Sequence, residues 1–283
     1  MNLQNIIAEI ETVDPEIYER TSTRRDTFKH FTGKRIALAA LPFALGGVFK
    51  KAYGQTTTDI IGVLNFALTL EYLEYHFYLR GVATAGLVPV GTPAVGAFTL
   101  IRDHENSHVN FLRTTITSLG GTPVLFTAAQ FDFTAQGTFP TVFSNYDTFL
   151  AVAQTFEDTG VRAYKGQAPN LISNNDVLTA ALQIHSVEGR HAAHIRYMRR
   201  AKVRQLRAER GAAVKPWITL NQSGIASPAV QPSYNGEELT TQAGTIVITN
   251  INGQSISASA ASESFDEPLT KAQVQAIVAP FFV

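Results

Sequence analysis

The chain of 283 residues is long enough for one large domain with an appendage, and its 45% hydrophobic content supplies a sizeable core. Because 23 basic residues balance 23 acidic ones, the charge does not favour general nucleic-acid binding. The absence of cysteine excludes disulfides, thiolate metal sites, iron–sulfur clusters and a catalytic thiol. No apolar run reaches the ~18 residues that suggest a membrane-spanning helix.

Residues 1–55 form an N-terminal segment with two interpretations. Arg24 and Arg25 precede the apolar run 36–49, and Ala52-Tyr53-Gly54 has the small-x-small pattern of a cleavage site. This order predicts a twin-arginine export signal, which implies a periplasmic or exported protein with only transient membrane contact. However, the arginine pair lies far into the chain and basic residues follow the apolar run. A structural N-terminal helix, in a cytoplasmic protein, is therefore the alternative.

Residues 56–216 are predicted to form a four-helix bundle. Asp59 is the expected N-cap of the first helix, Thr92 and Pro93 start the second, and Gly120 ends it. Short connections join the first helix to the second and the third to the fourth, whereas about 24 irregular residues join the second to the third, which predicts one long crossover. The predicted helices run from about Asp59 to Ala85, Thr92 to Gly120, Asn145 to Gly166, and Ser173 to beyond Arg199.

The glutamates of the bundle are few and regularly placed. Between residues 21 and 208 there are only five, and each predicted helix has at least one near its middle. On the second and fourth helices a histidine follows the glutamate three residues later. The five glutamates and these two histidines are Glu71, Glu74, Glu105, Glu157, Glu188, His108 and His191.

The spacing predicts that these groups face the interior. Residues three and four apart share one helix face, so Glu105 and His108 belong to an apolar stripe, as do Glu188 and His191. The first and third helices repeat a Leu-Glu-Tyr pattern at heptad spacing, so the two halves of the bundle form a weak internal repeat. The flanking stripe residues are Ile101, Leu112, Ile184, Ile195, Leu64, Tyr78, Leu150 and Tyr164.

Four buried carboxylates need compensation, and divalent cations are the natural one. Four carboxylates and two imidazoles suit two Fe or two Mn ions better than Zn, and four negative charges balance two divalent ions. The alternative is that the glutamates face solvent or form ion pairs. The predicted metal ligands are Glu71, Glu105, His108, Glu157, Glu188 and His191.

Several neighbouring residues have alternative roles. Glu74 is either a supporting acid or an extra ligand. Tyr78 and Tyr164 are expected to hydrogen-bond to the ligand carboxylates across the repeat, as supporting catalytic residues, and plain core packing is their alternative. Four histidines lie off the ligand stripes and are expected to be supporting or surface residues: His76, His104, His185 and His194.

These motifs resemble the ferritin-like superfamily of di-iron and di-manganese proteins. The closest likeness is to its ferritin-like and desiccation-related group, on Leu70-Glu71-Tyr72-Leu73-Glu74, on Glu157-Asp158-Thr159-Gly160-Val161, and on the Phe-Asp-Glu-Pro-Leu-Thr signature at 265–270. The resemblance covers about 59–283. The chain continues well beyond the bundle, unlike storage ferritins, and lacks the four-cysteine domain of rubrerythrins. With only Met1 and Met198 in the chain, a haem ligated by methionine is not expected.

Residues 217–283 form a C-terminal extension. Polar and apolar residues alternate in 245–250 and 255–259, on either side of Asn252-Gly253. This pattern predicts a β-hairpin that packs on the bundle or on another subunit. Residues 270–279 predict a short helix. The apolar end, Phe281-Phe282-Val283, suggests docking or assembly.

Three classes of function remain open on this sequence. The first is an oxidoreductase, namely a ferroxidase, a peroxidase or a manganese-catalase-like enzyme in stress protection. The second is iron sequestration in a shell, and the third is a structural assembly with a secondary or stabilising metal centre. A homo-oligomer is expected, and nucleic acid is not, because the basic run 196–210 is interpreted as a solvated helix end.

Overall fold

The computed structural model describes residues 56–206, 214–242 and 244–283. Its four long helices are α1, Thr57–Ala83; α2, Pro93–Ser118; α3, Tyr146–Gln167; and α4, Asn175–Leu206. Helix α1 packs along α2, and α3 along α4, as two helical hairpins. The long segment between α2 and α3 joins these hairpins, so the predicted mainly α architecture with one long crossover is confirmed.

The two interpretations of the N-terminal segment both stay predictions. Residues 1–55, with the predicted twin-arginine signal, lie outside the described part of the chain. Within the described ranges, no helix combines the length and the apolar character needed to cross a membrane.

Two helix starts differ from the prediction. Thr56, not Asp59, is the N-cap of α1. The two residues form a capping box: the Thr56 side chain accepts a hydrogen bond from the Asp59 N–H, and the Asp59 side chain accepts one from the Thr56 N–H. Helix α4 starts after Asn174, whose side-chain oxygen accepts a hydrogen bond from the N–H of Val177 at 3.1 Å. The helix therefore begins two residues after the predicted start at about Ser173.

Other helix ends follow the sequence signals. Asn145, where the third helix was predicted to begin, caps α3 and accepts hydrogen bonds from the backbone amides of Asp147 and Thr148. Pro93 opens α2 after Thr92, although the Thr92 hydroxyl donates to the Pro89 carbonyl instead of capping the helix. Beyond α2 the backbone turns at a glycine, position 120, with a φ of 81°, a left-handed conformation that glycine adopts without strain.

Aromatic residues close the bundle at the end where α1 finishes and α2 and α3 begin. Phe77 stacks on Phe149 at 4.8 Å between ring centroids, and Phe98 meets Phe149 edge-on at 5.0 Å. All three side chains are fully buried. The predicted interior stripes are buried as well, so the glutamates at mid-helix lie below this aromatic cluster and inside the core.

The chain terminus packs on the long crossover. Phe281 meets Phe156 of α3 at 4.7 Å and stacks on Phe139 of the crossover, and its carbonyl accepts a hydrogen bond from the Asp132 N–H at 2.9 Å. Phe282 pairs with Phe131 in an isolated antiparallel bridge. The apolar terminus therefore docks within its own chain, one of the two roles predicted for it.

The C-terminal hairpin prediction needs correction. Strands β1, Thr241–Gln242, and β2, Ile246–Val247, form a first hairpin that the alternation did not predict. Strands β3, Asn250–Ile251, and β4, Gln254–Ser255, form the second hairpin. Its turn is the predicted Asn252-Gly253, with φ of 53° and 79°.

The strand predicted at 255–259 ends early because a helix begins. Ser257 accepts a hydrogen bond from the Ala260 N–H and caps α5, Ala258–Ser262. The alanines of this segment favour a helix over a strand. The predicted terminal helix is confirmed as α6, Lys271–Val278, which Thr270 caps.

Two buried arginines fasten the extension to the bundle. Arg162 of α3 is 1% exposed; its guanidinium lies 2.7 Å from the Glu237 carboxylate and donates to the backbone carbonyls at positions 233, 235 and 267. Arg196 of α4 forms a bidentate pair with Asp158, whose second oxygen also accepts from the Tyr234 hydroxyl. The extension is thus an integral part of the folded unit.

Candidate metal centre

The six predicted ligands converge in the middle of the bundle. Their side chains are 10% exposed at His108, 5% at His191 and fully buried at the four glutamates. They form two groups, and within each group one potential ligand atom per residue lies within 4.8 Å of all the others. The groups are Glu71, Glu105, His108 and Glu188, and Glu105, Glu157, Glu188 and His191.

The first group is arranged around the Nδ1 atom of His108. This nitrogen lies 3.0 Å from Glu71 Oε2, 3.2 Å from Glu105 Oε2 and 3.1 Å from Glu188 Oε1. One imidazole nitrogen facing three carboxylates from three helices is a donor set that a divalent cation can share.

The second group repeats this arrangement around His191. Its Nδ1 atom lies 2.9 Å from Glu105 Oε1, 3.4 Å from Glu157 Oε2 and 3.5 Å from Glu188 Oε2. Glu105 and Glu188 thus present one oxygen to each histidine. They are the two residues common to both groups, as expected of carboxylates that bridge two metals.

Several of these atoms are buried without a hydrogen bond. Glu105 Oε1, Glu157 Oε2, both oxygens of Glu188 and Nδ1 of His191 have no hydrogen-bond partner, although they lie close together. Their close contacts are with one another and with the two histidines, and a buried polar atom without a hydrogen bond costs about 1–3 kcal/mol. Hard oxygen and imidazole donors that point into one space fit Fe or Mn ions.

Two tyrosines fix the outer oxygens of the terminal carboxylates. The Tyr78 hydroxyl of α1 donates to Glu157 Oε1 of α3, and the Tyr164 hydroxyl of α3 donates to Glu71 Oε1 of α1. The hydrogen bonds expected across the repeat are therefore present, and their order shows that α1 and α3 are antiparallel. In each glutamate the free oxygen, Oε2, faces the histidine. Burial raises the pKa of both tyrosines well above the usual value, so they stay protonated donors.

Burial keeps three of the carboxyl groups protonated in the metal-free centre. Burial raises the pKa of Glu71 to about 8, although the nearby His108 lowers it in part. Burial also raises the pKa of Glu157 well above its usual value. The pKa of Glu74 is raised well above its usual value by burial and, in addition, by repulsion from the neighbouring carboxylates.

The other four groups form charged pairs. Burial disfavours charge on His108 and His191, but the carboxylates around them outweigh burial and raise the pKa of both imidazoles well above the usual value. Burial likewise opposes charge on Glu105 and Glu188, yet the two histidines hold the pKa of both carboxyls below the usual value. Without a bound cation, two imidazolium groups thus balance two carboxylates.

Glu74 lies beside the centre but belongs to neither group. Its side chain is buried, and its Oε1 would be 3.3 Å from a Cβ atom at position 160. Gly160 of α3 therefore leaves the room that this carboxyl occupies. The geometry favours a supporting role for Glu74 over a place among the ligands.

His104 contacts the centre directly, although the helix pattern placed it off the ligand stripe. Its Nδ1 lies 2.9 Å from Nε2 of His191. Burial, followed by repulsion from His191, lowers the pKa of His104 to about 4, so the neutral ring accepts a hydrogen bond from the Nε2–H of His191. In the sequence, the one signal for this contact is that His104 directly precedes Glu105. At the equivalent position of the internal repeat, Val187 precedes Glu188.

The remaining off-stripe histidines lie apart from both groups. His76 makes a 3.3 Å contact with the Phe126 carbonyl of the crossover, and His194 lies beside Tyr197 on the outer side of α4. Met198, the one methionine of the bundle, accepts a long contact from Tyr146.

A family model described as a ferritin-like domain matches residues 59–201. The chain belongs to the ferritin-like family. The ferritin-like domain covers the six candidate ligands and stops before the C-terminal extension. A search of curated proteins found no match to the chain. The closer likeness to the desiccation-related group stays a prediction.

Proposed function

We propose that the protein is a two-metal carboxylate protein that oxidises Fe(II), or consumes peroxide or dioxygen, in stress protection. The observation that carries the proposal is the pair of buried groups that share Glu105 and Glu188. This layout has one glutamate on each of two helices and Glu-x-x-His on each of the other two, the pattern of ferritin-like di-iron and di-manganese centres.

The residues divide the work of holding two Fe or two Mn ions. Glu105 and Glu188 would bridge, and Glu71 with His108 and Glu157 with His191 would complete the two positions. Such a metal pair supplies two electrons to one peroxide or dioxygen molecule. Two tyrosines, at positions 78 and 164, orient the terminal carboxylates and keep their inner oxygens turned to the centre.

Burial excludes bulk water from this chemistry. The aromatic cluster closes one end of the bundle, and the four glutamates have no exposed side-chain surface. Because both tyrosines hydrogen-bond to the terminal carboxylates, they lie where they could quench an oxidant formed at the centre.

The test uses metal-free protein loaded separately with Fe(II) or Mn(II). Peroxide loss without oxygen release in the iron form is the result expected of a ferroxidase or peroxidase. Oxygen release in the manganese form would instead show a catalase. If both metals bind and neither form turns over, the enzymatic proposal is wrong and a structural ferritin-like assembly replaces it.

A further inference from the structure

The two hairpins of the C-terminal extension lie largely exposed at the surface. Within the described ranges, each of the strands β1 to β4 pairs with one other strand, so each has one edge without a strand partner. Ile248 is buried and anchors the hairpins, whereas Ile246, Val247 and Ile251 are 52%, 48% and 43% exposed. Because a two-stranded hairpin is marginally stable in water, a further strand beside these short ones would stabilise them.

The sequence of the hairpins lacks the features that normally keep strand edges apart. Exposed edges usually carry charged side chains or a proline, which prevent pairing with another chain. Residues 239–262 contain neither a charged residue nor a proline. The segment 245–251 reads Thr-Ile-Val-Ile-Thr-Asn-Ile, and β-branched residues of this kind favour strands. Nothing in this composition therefore opposes a further strand at an open edge.

The outer edge of β4, the side turned away from β3, presents the backbone of Ser255. Ser255 lies opposite Asn250, and the N–H of the next residue, Ile256, donates to the Thr249 carbonyl at 2.9 Å. Because bonding alternates along an antiparallel strand, the N–H and C=O of Ser255 point away from β3. Ser255 is exposed, as is Gln254 before it. The outer edge therefore offers one donor and one acceptor to another strand.

We propose that a second copy of this chain binds at the outer edge of β4, so that two hairpins join into one four-stranded sheet. Antiparallel pairing of two identical strands has two-fold symmetry. The Ser255 N–H of each copy then donates to the Ser255 carbonyl of the other. Such a contact uses the same edge in both copies and closes as a dimer. The inference goes beyond the proposed function and does not depend on bound metal.

Charge favours a copy of the same chain as the occupant. Near the two-fold axis each residue meets its own counterpart, so a charged residue there would face a like charge, which destabilises strand pairs. The uncharged run 239–262 avoids this cost, and the formal net charge of zero adds no long-range repulsion between copies. Ile251 and Ile256 share one face of the hairpin, so pairing also brings apolar side chains of the two copies together.

The test compares Ser255→Pro with Ser255→Ala by sedimentation velocity over a wide range of protein concentrations. The wild type should pass from monomer to dimer as its concentration rises. Ser255→Ala keeps the outward N–H and should dimerise like the wild type. Ser255→Pro removes that N–H from both copies without removing a hydrogen bond within the hairpin, and proline is tolerated in edge strands. Its dimer dissociation constant should rise roughly tenfold or more.

A second pair of variants covers the case in which Ser255→Pro disturbs the hairpin itself. Ile251→Lys places like charges on the joined sheet, whereas Val90→Lys changes a residue that is 86% exposed between α1 and α2. Only Ile251→Lys should weaken the dimer, about tenfold, and added salt should restore part of the loss. Circular dichroism verifies that each variant is folded.

Hydrogen exchange reports on the contact itself. The Ser255 amide should exchange quickly in the monomer and more slowly at concentrations where the wild type is a dimer. A wild type that stays monomeric at every concentration overturns the proposal. A dimer that persists in both Ser255→Pro and Ile251→Lys, or whose Ser255 amide exchanges as quickly as in the monomer, also overturns it. Because these measurements use no metal, their failure leaves the proposed function untouched.

Discussion

At the scale of single residues, His104 makes the two halves of the centre unequal. The outer nitrogen of His191, Nε2, contacts the imidazole of His104. In the other half of the repeat, the residue equivalent to His104 is Val187, which offers His108 no such partner. We predict that His104→Ala weakens metal binding at the His191 position about 10–100-fold, because partners of this kind contribute that much to affinity. Titration calorimetry with Mn(II) should then show one weakened and one unchanged step.

A matched control is His194→Ala, since His194 is an exposed histidine of α4 outside both groups. It should leave both binding steps unchanged. Equal weakening of both steps in His104→Ala would mean that the ring supports the bundle in general and not His191 in particular.

The protons of the metal-free centre lead to a second prediction at this scale. Filling both positions should release four protons, one each from Glu71, Glu157, His108 and His191, whose pKa values are all raised. Metal affinity should therefore rise with pH, and the contribution of Glu71 to that rise should level off at about pH 8, where Glu71 ionises by itself. Calorimetry in two buffers of different protonation enthalpy measures the proton count, and a count near zero would contradict the assigned ligands.

The same shift sets the sign of the pH dependence of stability in the metal-free protein. The pKa of Glu71 is about 8 when folded, above the 4.5 of an exposed glutamate. Between these values the folded state holds a proton that the unfolded chain has lost, so the free energy of unfolding falls as pH rises. Urea unfolding with a chelator, at pH values across this range, should show that fall, and saturation with metal should abolish it.

Most of the centre could be predicted from sequence because its ligands obey helix periodicity. Glu105 and Glu188 each have a histidine one turn on, and the recurrence of this pattern in both halves of the bundle is typical of a two-metal centre. His104 could not be assigned, because its contact with His191 depends on how α2 and α4 approach each other. No spacing within one helix carries that information.

At the scale of elements, α3 packs tightly against the C-terminal extension at Gly166. A Cβ atom at Gly166 would lie 1.9 Å from the Leu269 carbonyl oxygen, and the Leu269 N–H donates to the Arg162 carbonyl. We predict that Gly166→Ala lowers the free energy of unfolding by about 1–3 kcal/mol, the usual cost of overpacking. Denaturant unfolding measures the change.

Gly62→Ala provides the control for this substitution. Gly62 is an exposed glycine in α1, and no atom lies within 4 Å of the added Cβ. Alanine has the better helix propensity, so this variant should be up to ~1 kcal/mol more stable than the wild type. A Gly166→Ala variant that behaves in the same way would show that α3 and the extension separate easily.

Elements outside the bundle were harder to predict because their strands have two residues each. Alternation over 245–250 and 255–259 marked the region of the hairpin, and Asn252-Gly253 marked its turn. The end of the last strand, however, depends on Ser257 starting a helix, which the alternation did not indicate.

At the scale of the whole molecule, the N-terminal segment carries a proposal of its own. We expect Arg24 and Arg25 to direct export, because they precede an apolar run and a small-x-small cleavage pattern. Protein purified from its own source should then begin at or near Gln55, as N-terminal sequencing would show. Native protein that retains residues 1–54 would favour the structural helix instead.

The last prediction links the centre to the stability of the entire bundle. The six ligands come from all four helices, so metal bound to them would tie both helical hairpins together. A ligand that binds only the folded state stabilises it by about 2.7 kcal/mol at a hundred times its dissociation constant. The double variant Glu188→Ala/His191→Ala loses one carboxylate common to both groups and one histidine, and should therefore bind no metal. Removing metal with a chelator should lower the melting temperature of the wild type and leave that of the double variant unchanged. Unchanged metal content in the double variant, measured by elemental analysis, would show that these residues are not the ligands.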